Sequence, residues 1–102
     1  MLNALKQLFG LGPSVNYKEL IDAGAVILDV RSPGEFKGGH ARGAINVPLD
    51  KIRDYPQKQK NKDQVIITCR ASGMRSGSAK SALQSAGFKN VYNGGPWQNV
   101  NF

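Results

Sequence analysis

Hydrophobic residues in this chain form short continuous runs, which alternate with segments where apolar positions recur every three or four residues. The clearest runs span residues 25–30 and 65–67, and shorter ones span 44–47 and 90–92. Continuous apolar runs of this length are typical of strands buried on both faces of a parallel sheet. Strands that alternate with helices predict an α/β fold, in which ligands bind beyond the carboxyl ends of the strands.

Two of the predicted helices begin with a capping residue and a glutamate three positions later. Asn16 and Glu19 open the first helix, which is expected to end at Gly24. Ser32 and Glu35 open the second, with a proline at the first helical position and a pair of glycines after residue 37. In a capping box, each side chain accepts a hydrogen bond from the backbone N–H of the other residue. A turn or short helix is also expected around residues 50–52.

The only cysteine, Cys69, lies where the strand of residues 65–67 gives way to a helix. That helix is expected to follow residues 76–77 and to end at Gly87, and its apolar residues have helical spacing: Ala79, Ala82, Leu83 and Ala86. The backbone N–H groups of the intervening loop can form an anion-binding nest, and the helix N-terminus adds a positive dipole end.

Two arginines, Arg70 and Arg75, flank this loop. Positive charge and oriented N–H groups favour a thiolate over a thiol, and the thiolate is the nucleophile. The pattern therefore predicts an active site at Cys69. The alternative is that Cys69 is a small buried residue of the core.

Length and composition are those of a single globular domain. The chain has 102 residues, of which 40% are hydrophobic and 21% charged, and its formal net charge is +7. A single cysteine excludes an intrachain disulfide framework and a cysteine-based metal cluster. The positive charge attracts anions, but the basic residues are scattered except between residues 51 and 62, which we interpret as a solvated surface. Nucleic acid is therefore not expected as the main partner.

Residues 1–13 are expected to form a short amphipathic helical segment ahead of a main domain of residues 14–102. The apolar positions at helical spacing are Leu2, Leu5, Leu8 and Phe9. Polar residues interrupt the segment and nothing in it resembles a cleavage site, so no signal peptide is expected. The segment is also too short to predict a membrane span. The segment is expected to pack on its own domain, and contact with a partner or a membrane surface is the alternative.

Four stretches of the sequence, taken in order, resemble the rhodanese-like family over about residues 14–97. They are residues 28–36 (LDVRSPGEF), residues 39–48 (GHARGAINVP), residues 69–80, and residues 87–88 together with 93–95. Each stretch alone is a weak signal, whereas all four in this order are specific. The loop after Cys69 is similar to that of small bacterial sulfurtransferases with one residue inserted.

The resemblance implies a three-layer α/β domain in which a five-stranded parallel sheet is flanked by helices. It also implies a thiosulfate sulfurtransferase: Cys69 accepts sulfane sulfur from thiosulfate or a persulfide donor and passes it, as a persulfide, to a thiol or cyanide. The implied partners are a small anionic sulfur donor and a thiol acceptor, and no metal or organic cofactor is needed. We expect a cytoplasmic monomer or weak homo-oligomer.

The residues carried over from the family pattern fall into three groups. Cys69 is the catalytic nucleophile. The loop after it is expected to bind the substrate through Arg70, Ala71, Ser72, Gly73, Met74, Arg75 and Ser76. Asp29, Arg31 and His40 are candidate supporting residues. For Asp29 and Arg31 the first interpretation is an ion pair or a cap bond involving Glu35, and a role in positioning the donor is the alternative. His40 is expected to belong to a structural turn.

The loop from Cys69 to Arg75 has seven residues, one more than is typical of sulfurtransferases in the family. This length resembles dual-specificity phosphatases and arsenate reductases, in which the arginine holds a tetrahedral oxyanion bidentately. A phosphatase or arsenate-reductase-like enzyme is therefore the first alternative function. A non-catalytic rhodanese-like binding module is the second, and the intact Cys69 and arginines argue against it.

Overall fold

A computed structural model describes residues 15–71 and 77–102 of the chain. The elements in these ranges are, in order, α1 Tyr17–Asp22, β1 Val26–Asp29, α2 Pro33–Lys37, β2 Ile45–Asn46, a first 3₁₀ helix Leu49–Asp54, α3 Tyr55–Lys58, β3 Ile66–Arg70, α4 Gly77–Ser85, β4 Val91–Pro96 and a second 3₁₀ helix Trp97–Val100. The predicted helix of residues 1–13 lies outside the described residues. None of the helices within them combines the length and the apolar character needed to cross a bilayer.

The strands form one parallel sheet in the order β2-β1-β3-β4. This confirms the predicted α/β fold with a parallel sheet. The described residues contribute four strands to the sheet rather than the five that the resemblance implies. After β4 the chain turns directly into the second 3₁₀ helix, and the residues before position 15 are outside the described ranges. The central strands are β1 and β3, which match the two clearest apolar runs.

Two strands differ in length from the prediction. β2 has only two residues, which pair with the last two residues of β1, and the chain then passes through Pro48 into the first 3₁₀ helix. β4 extends to Pro96, well beyond the predicted residues 90–92, since pairing with β3 continues through an irregularity described below. The segment of residues 51–62 is also more than a solvated surface, because the first 3₁₀ helix buries Ile52 and α3 places Tyr55 against Phe88.

Side chains of β1 and β3 alternate between two hydrophobic clusters, one on each face of the sheet. The cluster on the α4 face includes Leu28, Val30, Ile66, Ala79 and Leu83. The cluster on the opposite face, against which residues of α1 pack, includes Ile27, Ile67, Cys69 and Val100. Cys69 therefore belongs to the second face, at the end of the sheet where β1 and β3 terminate.

The predicted capping box at the start of α2 is present. Ser32 Oγ accepts a hydrogen bond from the backbone N–H of Glu35 (3.4 Å), and Glu35 Oε1 accepts one from the backbone N–H of Ser32 (3.3 Å). At α1, the side chain of Asn16 accepts a bond from the backbone N–H of Glu19 (3.1 Å). Local capping signals therefore located both helix starts correctly.

Replacing Ser32 with alanine is expected to lower the free energy of unfolding by about 1 kcal/mol, because the first turn of α2 loses its side-chain acceptor. Urea unfolding followed by circular dichroism measures this change. Ser81→Ala is the matched control, since Ser81 is exposed in the interior of α4 and should change stability by less than about 0.5 kcal/mol. An equal loss in both variants would contradict the role given to the capping box.

Candidate active site

Cys69 is the penultimate residue of β3, at the carboxyl edge of the sheet, and its side chain is fully buried. It pairs in register with Asp29, the last residue of β1. Because the carboxyl ends of parallel strands meet at one edge of the sheet, residues that follow several strands come together around the thiol. This is the position expected from the sequence.

A β-bulge in β4 lies opposite Cys69. The register shifts between Thr68 and Arg70, where β4 contributes two residues, Gly94 and Gly95, against one residue of β3. Gly95 has a φ of +75°, a backbone conformation that favours glycine. Bulges bend a strand locally and are common next to active sites. Sequence reasoning missed this feature, although adjacent glycines within a strand pattern were the available signal.

A buried ion pair lies beside Cys69. The Asp29 carboxylate is fully buried and accepts bonds from Arg31 Nε (2.9 Å) and Arg31 Nη2 (2.7 Å). Arg31 Nη2 also donates to the carbonyl oxygen of Gly39 (2.6 Å), and the guanidinium carbon lies 5.2 Å from the ring centroid of Trp97. The structure therefore brings both candidate supporting residues, Asp29 at the end of β1 and Arg31 just after it, to the site, where they form the ion pair that was one of their two interpretations.

Asn46 fixes the backbone that carries this ion pair. Its Nδ2 donates to the carbonyl oxygens of Asp29 (3.0 Å) and Arg31 (2.9 Å). The backbone N–H of Val47 also donates to the carbonyl oxygen of Asp29 (2.9 Å). Strand β2 thus holds the end of β1 through a side chain as well as through the ladder. Sequence reasoning missed Asn46, and a lone amide within the apolar run of residues 44–47 was the available signal.

His40 contacts α2 through its ring. Its Nδ1 lies 2.7 Å from the carbonyl oxygen of Phe36, and the two rings stack with centroids 3.7 Å apart. The side chain is exposed. These contacts join α2 to the turn that follows it, which supports the structural interpretation of His40 over a pairing with the cysteine.

Only the first two residues of the predicted substrate loop are described. Arg70 and Ala71 are half-buried, and Arg70 Nη1 donates to the carbonyl oxygen of Ala71 (3.1 Å). The remaining loop residues of the prediction, 72–76, lie outside the described residues. The role of the loop in substrate binding therefore stays a prediction.

Burial and the neighbouring Asp29 carboxylate raise the pKa of Cys69 to about 12, against the lowering effect of the Arg31 guanidinium. The described surroundings therefore favour the thiol, whereas the sequence predicts a thiolate. The sequence argument rests on the loop N–H groups, the helix N-terminus and two arginines, and of these Arg75 and most of the loop lie outside the described residues. It did not include Asp29, because a pattern along one strand does not show which charge the neighbouring strand places beside it.

The arrangement suits nucleophilic chemistry at sulfur. Once deprotonated, a cysteine at the start of a basic loop can attack an electrophilic sulfur or an oxyanion ester and form a covalent intermediate. In residues 15–71 and 77–102, no group of three or more histidine, cysteine, aspartate or glutamate side chains is placed to hold a metal ion.

A family model for the Rhodanese-like domain matches residues 15–95 of the chain. Among solved structures, a rhodanese with anions from E. coli is similar, with a TM-score of 0.68 and 28% sequence identity, and the match covers 76% of this chain and 92% of that one. The likeness therefore extends over nearly all of the described domain.

Two curated proteins show what kinds of relative share this domain. Thiosulfate sulfurtransferase PspE of Escherichia coli is 35% identical over 78 residues, which is 72% of this chain and 71% of that protein. The tRNA uridine(34) hydroxylase of Staphylococcus haemolyticus is 39% identical over 84 residues, which is 78% of this chain. This chain spans only 26% of that hydroxylase, and 54% of a further curated relative from Bacillus subtilis.

Proposed function

Because the chain belongs to the rhodanese-like family, we propose that it is a sulfurtransferase that moves sulfane sulfur from thiosulfate or a persulfide donor to a thiol or cyanide. The observation that carries the proposal is the position of Cys69. It is the only cysteine in the chain, and it lies next to the end of a central strand, at the edge of the sheet where ligands bind in α/β folds. Cys69 is therefore the proposed carrier of the transferred sulfur.

The two named relatives support this proposal unequally. The E. coli relative is named a thiosulfate sulfurtransferase, and the match covers most of its length. The tRNA hydroxylase is matched over about a quarter of its length, so the likeness concerns one domain that the two proteins share. Sulfur transfer is a reaction that one small domain with a single cysteine can perform, and hydroxylation is not part of the proposal.

The proposed reaction has two displacement steps. The Cys69 thiolate attacks the outer sulfur of thiosulfate, a new S–S bond forms, and the S–S bond of thiosulfate breaks as its electron pair leaves with sulfite. The product is an anionic persulfide on Cys69. An acceptor thiolate then attacks the terminal sulfur, the Cys69 S–S bond breaks, and the Cys69 thiolate is regenerated. Charge balances in each step.

The residues that follow Cys69 are proposed to bind the anionic donor. Arg70 and Arg75 orient its charge, and Ser72 and Ser76 donate hydrogen bonds beside the backbone N–H groups of the loop. The net charge of +7 favours anionic substrates in general.

A single cysteine also determines where the sulfur goes. Without a second cysteine the persulfide cannot be resolved within one chain, so the acceptor is an external thiol or cyanide. An unpaired cysteine and a thiol acceptor both fit the cytoplasm, where thiols are kept reduced. We propose that the protein acts there as a monomer or weak homo-oligomer.

Incubation with thiosulfate is expected to increase the mass of the protein by one sulfur atom. The Cys69 persulfide is a covalent intermediate, so intact-protein mass spectrometry detects it directly, and a small thiol should remove the added sulfur. Protein whose Cys69 has first been alkylated is the control and should gain no sulfur.

The same experiment separates the alternative functions. No gain of sulfur, combined with turnover of an aryl phosphate or reduction of arsenate, would show that the seven-residue loop serves oxyanion chemistry. No gain of sulfur and no turnover would leave a binding module. Either result contradicts the proposed sulfurtransferase.

A further inference from the structure

Asp29 brings a negative charge to the face of the sheet that carries Cys69. The two residues pair in register across β1 and β3, so their side chains point to the same face of strands that lie about 4.8 Å apart. Both side chains are fully buried. Solvent and salt screen the interaction between buried groups much less than between exposed ones. The carboxylate is therefore well placed to act on the sulfur.

Three contacts hold this carboxylate in one position. Arg31 donates to it from its backbone N–H (3.0 Å), from Nε (2.9 Å) and from Nη2 (2.7 Å). The guanidinium is itself fixed by the carbonyl of Gly39 and by Trp97. The Asn46 side chain holds the backbone of both residues of the ion pair by donating to their carbonyl oxygens. A buried ion pair is weak evidence for stability in itself, since desolvation offsets much of the Coulomb attraction. Its place beside the nucleophile suggests a functional reason for keeping it.

We propose that Asp29 is a positioning residue that controls the ionisation of Cys69, with Arg31 as its counter-charge. The carboxylate opposes negative charge on the neighbouring sulfur, and the guanidinium limits that effect. In the resting protein, the thiol is then protected from alkylation and oxidation. In the sulfur-loaded protein, which rests on the proposed function, the carboxylate destabilises the anionic persulfide and so favours transfer to the acceptor.

Other titratable groups near this face do not reproduce the effect. The second 3₁₀ helix has no titratable side chain, β4 contributes the phenol of Tyr92 and α1 that of Tyr17. His40 and Arg42 flank the buried Ala41, and Arg70 follows Cys69 in β3. In the described parts of the chain, Asp29 is the only buried carboxylate. Its removal is therefore the specific test.

The rate of alkylation by iodoacetamide as a function of pH measures the ionisation of Cys69, because the thiolate is the reacting form and the chain has one cysteine. For the unmodified protein, the midpoint of the curve of alkylation rate against pH is expected above about 8.5, the ordinary pKa of a cysteine thiol. Asp29→Asn keeps the shape of the side chain and removes its charge. It should lower the midpoint by about one to two pH units, which is a ten- to hundredfold faster reaction near pH 7.

Two further variants make the test selective. Arg31→Gln removes the counter-charge and should raise the midpoint, in the opposite direction to Asp29→Asn. Asp22→Asn removes a carboxylate that is 65% exposed on α1, and it should leave the midpoint unchanged. A purely structural role for the ion pair would give no such opposite shifts in variants that circular dichroism shows to be folded.

Three results overturn the proposal. One is an unchanged midpoint in folded Asp29→Asn, and another is a lowered or unchanged midpoint in folded Arg31→Gln. The third is a midpoint at or below about 8.5 in the unmodified protein. This result would overturn the proposal even if neither variant folds. Alkylation needs no sulfur donor, so a protein that transferred no sulfur would still give a clear result here.

Discussion

Replacing Cys69 with serine is expected to lower the rate of sulfur transfer from thiosulfate by at least about a thousandfold, to the level of the uncatalysed reaction. A hydroxyl at this position cannot form the persulfide through which the proposed reaction proceeds. The release of sulfite, or the formation of thiocyanate when cyanide is the acceptor, measures the rate. Transfer that persists in the serine variant would show that sulfur does not travel through Cys69.

The same substitution is also expected to reduce stability, because Cys69 is fully buried in the apolar cluster of its face. Burying a hydroxyl without a compensating hydrogen bond costs about 1 to 3 kcal/mol. Cys69→Ala is the matched variant, since it removes the nucleophile without burying a polar group. Loss of transfer in both variants, with the alanine protein still folded, separates the chemical role of the sulfur from its packing.

Gly94→Ala is expected to destabilise the protein by about 1 to 3 kcal/mol or more, because an added methyl group has no space. A Cβ there would lie 2.9 Å from Ile67 Cγ2 and 3.0 Å from both the carbonyl oxygen of Thr68 and Val100 Cγ1. One of these contacts is backbone of the strand that carries Cys69, so relief of the clash must move that strand. Urea unfolding measures the loss, and the sulfur-transfer rate should fall as well.

Gly34→Ala is the control for this prediction. A Cβ at Gly34 would meet nothing within 4 Å, and Gly34 lies in the first turn of α2, where alanine is the better helix former. It should change the free energy of unfolding by less than about 1 kcal/mol, in the stabilising direction. If Gly94→Ala changed stability as little as Gly34→Ala does, the bulge would tolerate a side chain opposite Cys69.

Most of the fold could be predicted because its signals are local. The cap residues Asn16 and Ser32 fixed the starts of α1 and α2, and the apolar runs identified the central strands β1 and β3. The extent of the edge strands could not be predicted in this way. β2 is short because of its pairing with β1, and β4 is long because a bulge lets pairing continue past two glycines.

The candidate site was predictable in its nucleophile but not in its electrostatics. A cysteine that ends an apolar run before a basic loop is a signal within one segment of sequence. The contact between Asp29 and Cys69 instead joins two strands far apart in the chain and depends on their register. A spacing of two residues in an extended segment predicts that Asp29 and Arg31 lie on one face. The spacing does not show that the Arg31 guanidinium binds the Asp29 carboxylate. That orientation depends on the guanidinium's contacts with the carbonyl of Gly39 and the ring of Trp97, which are distant in sequence.

Trp97 gives this site an optical signal of its own. It is the only tryptophan in the chain, it lies over the Arg31 guanidinium, and it packs against the cluster that contains Cys69. The emission of the indole ring therefore originates entirely beside the ion pair and the nucleophile. A displacement of Arg31, by sulfur loading or by an anion that competes for its charge, will change that emission, so events at the site can be followed in real time in unlabelled protein.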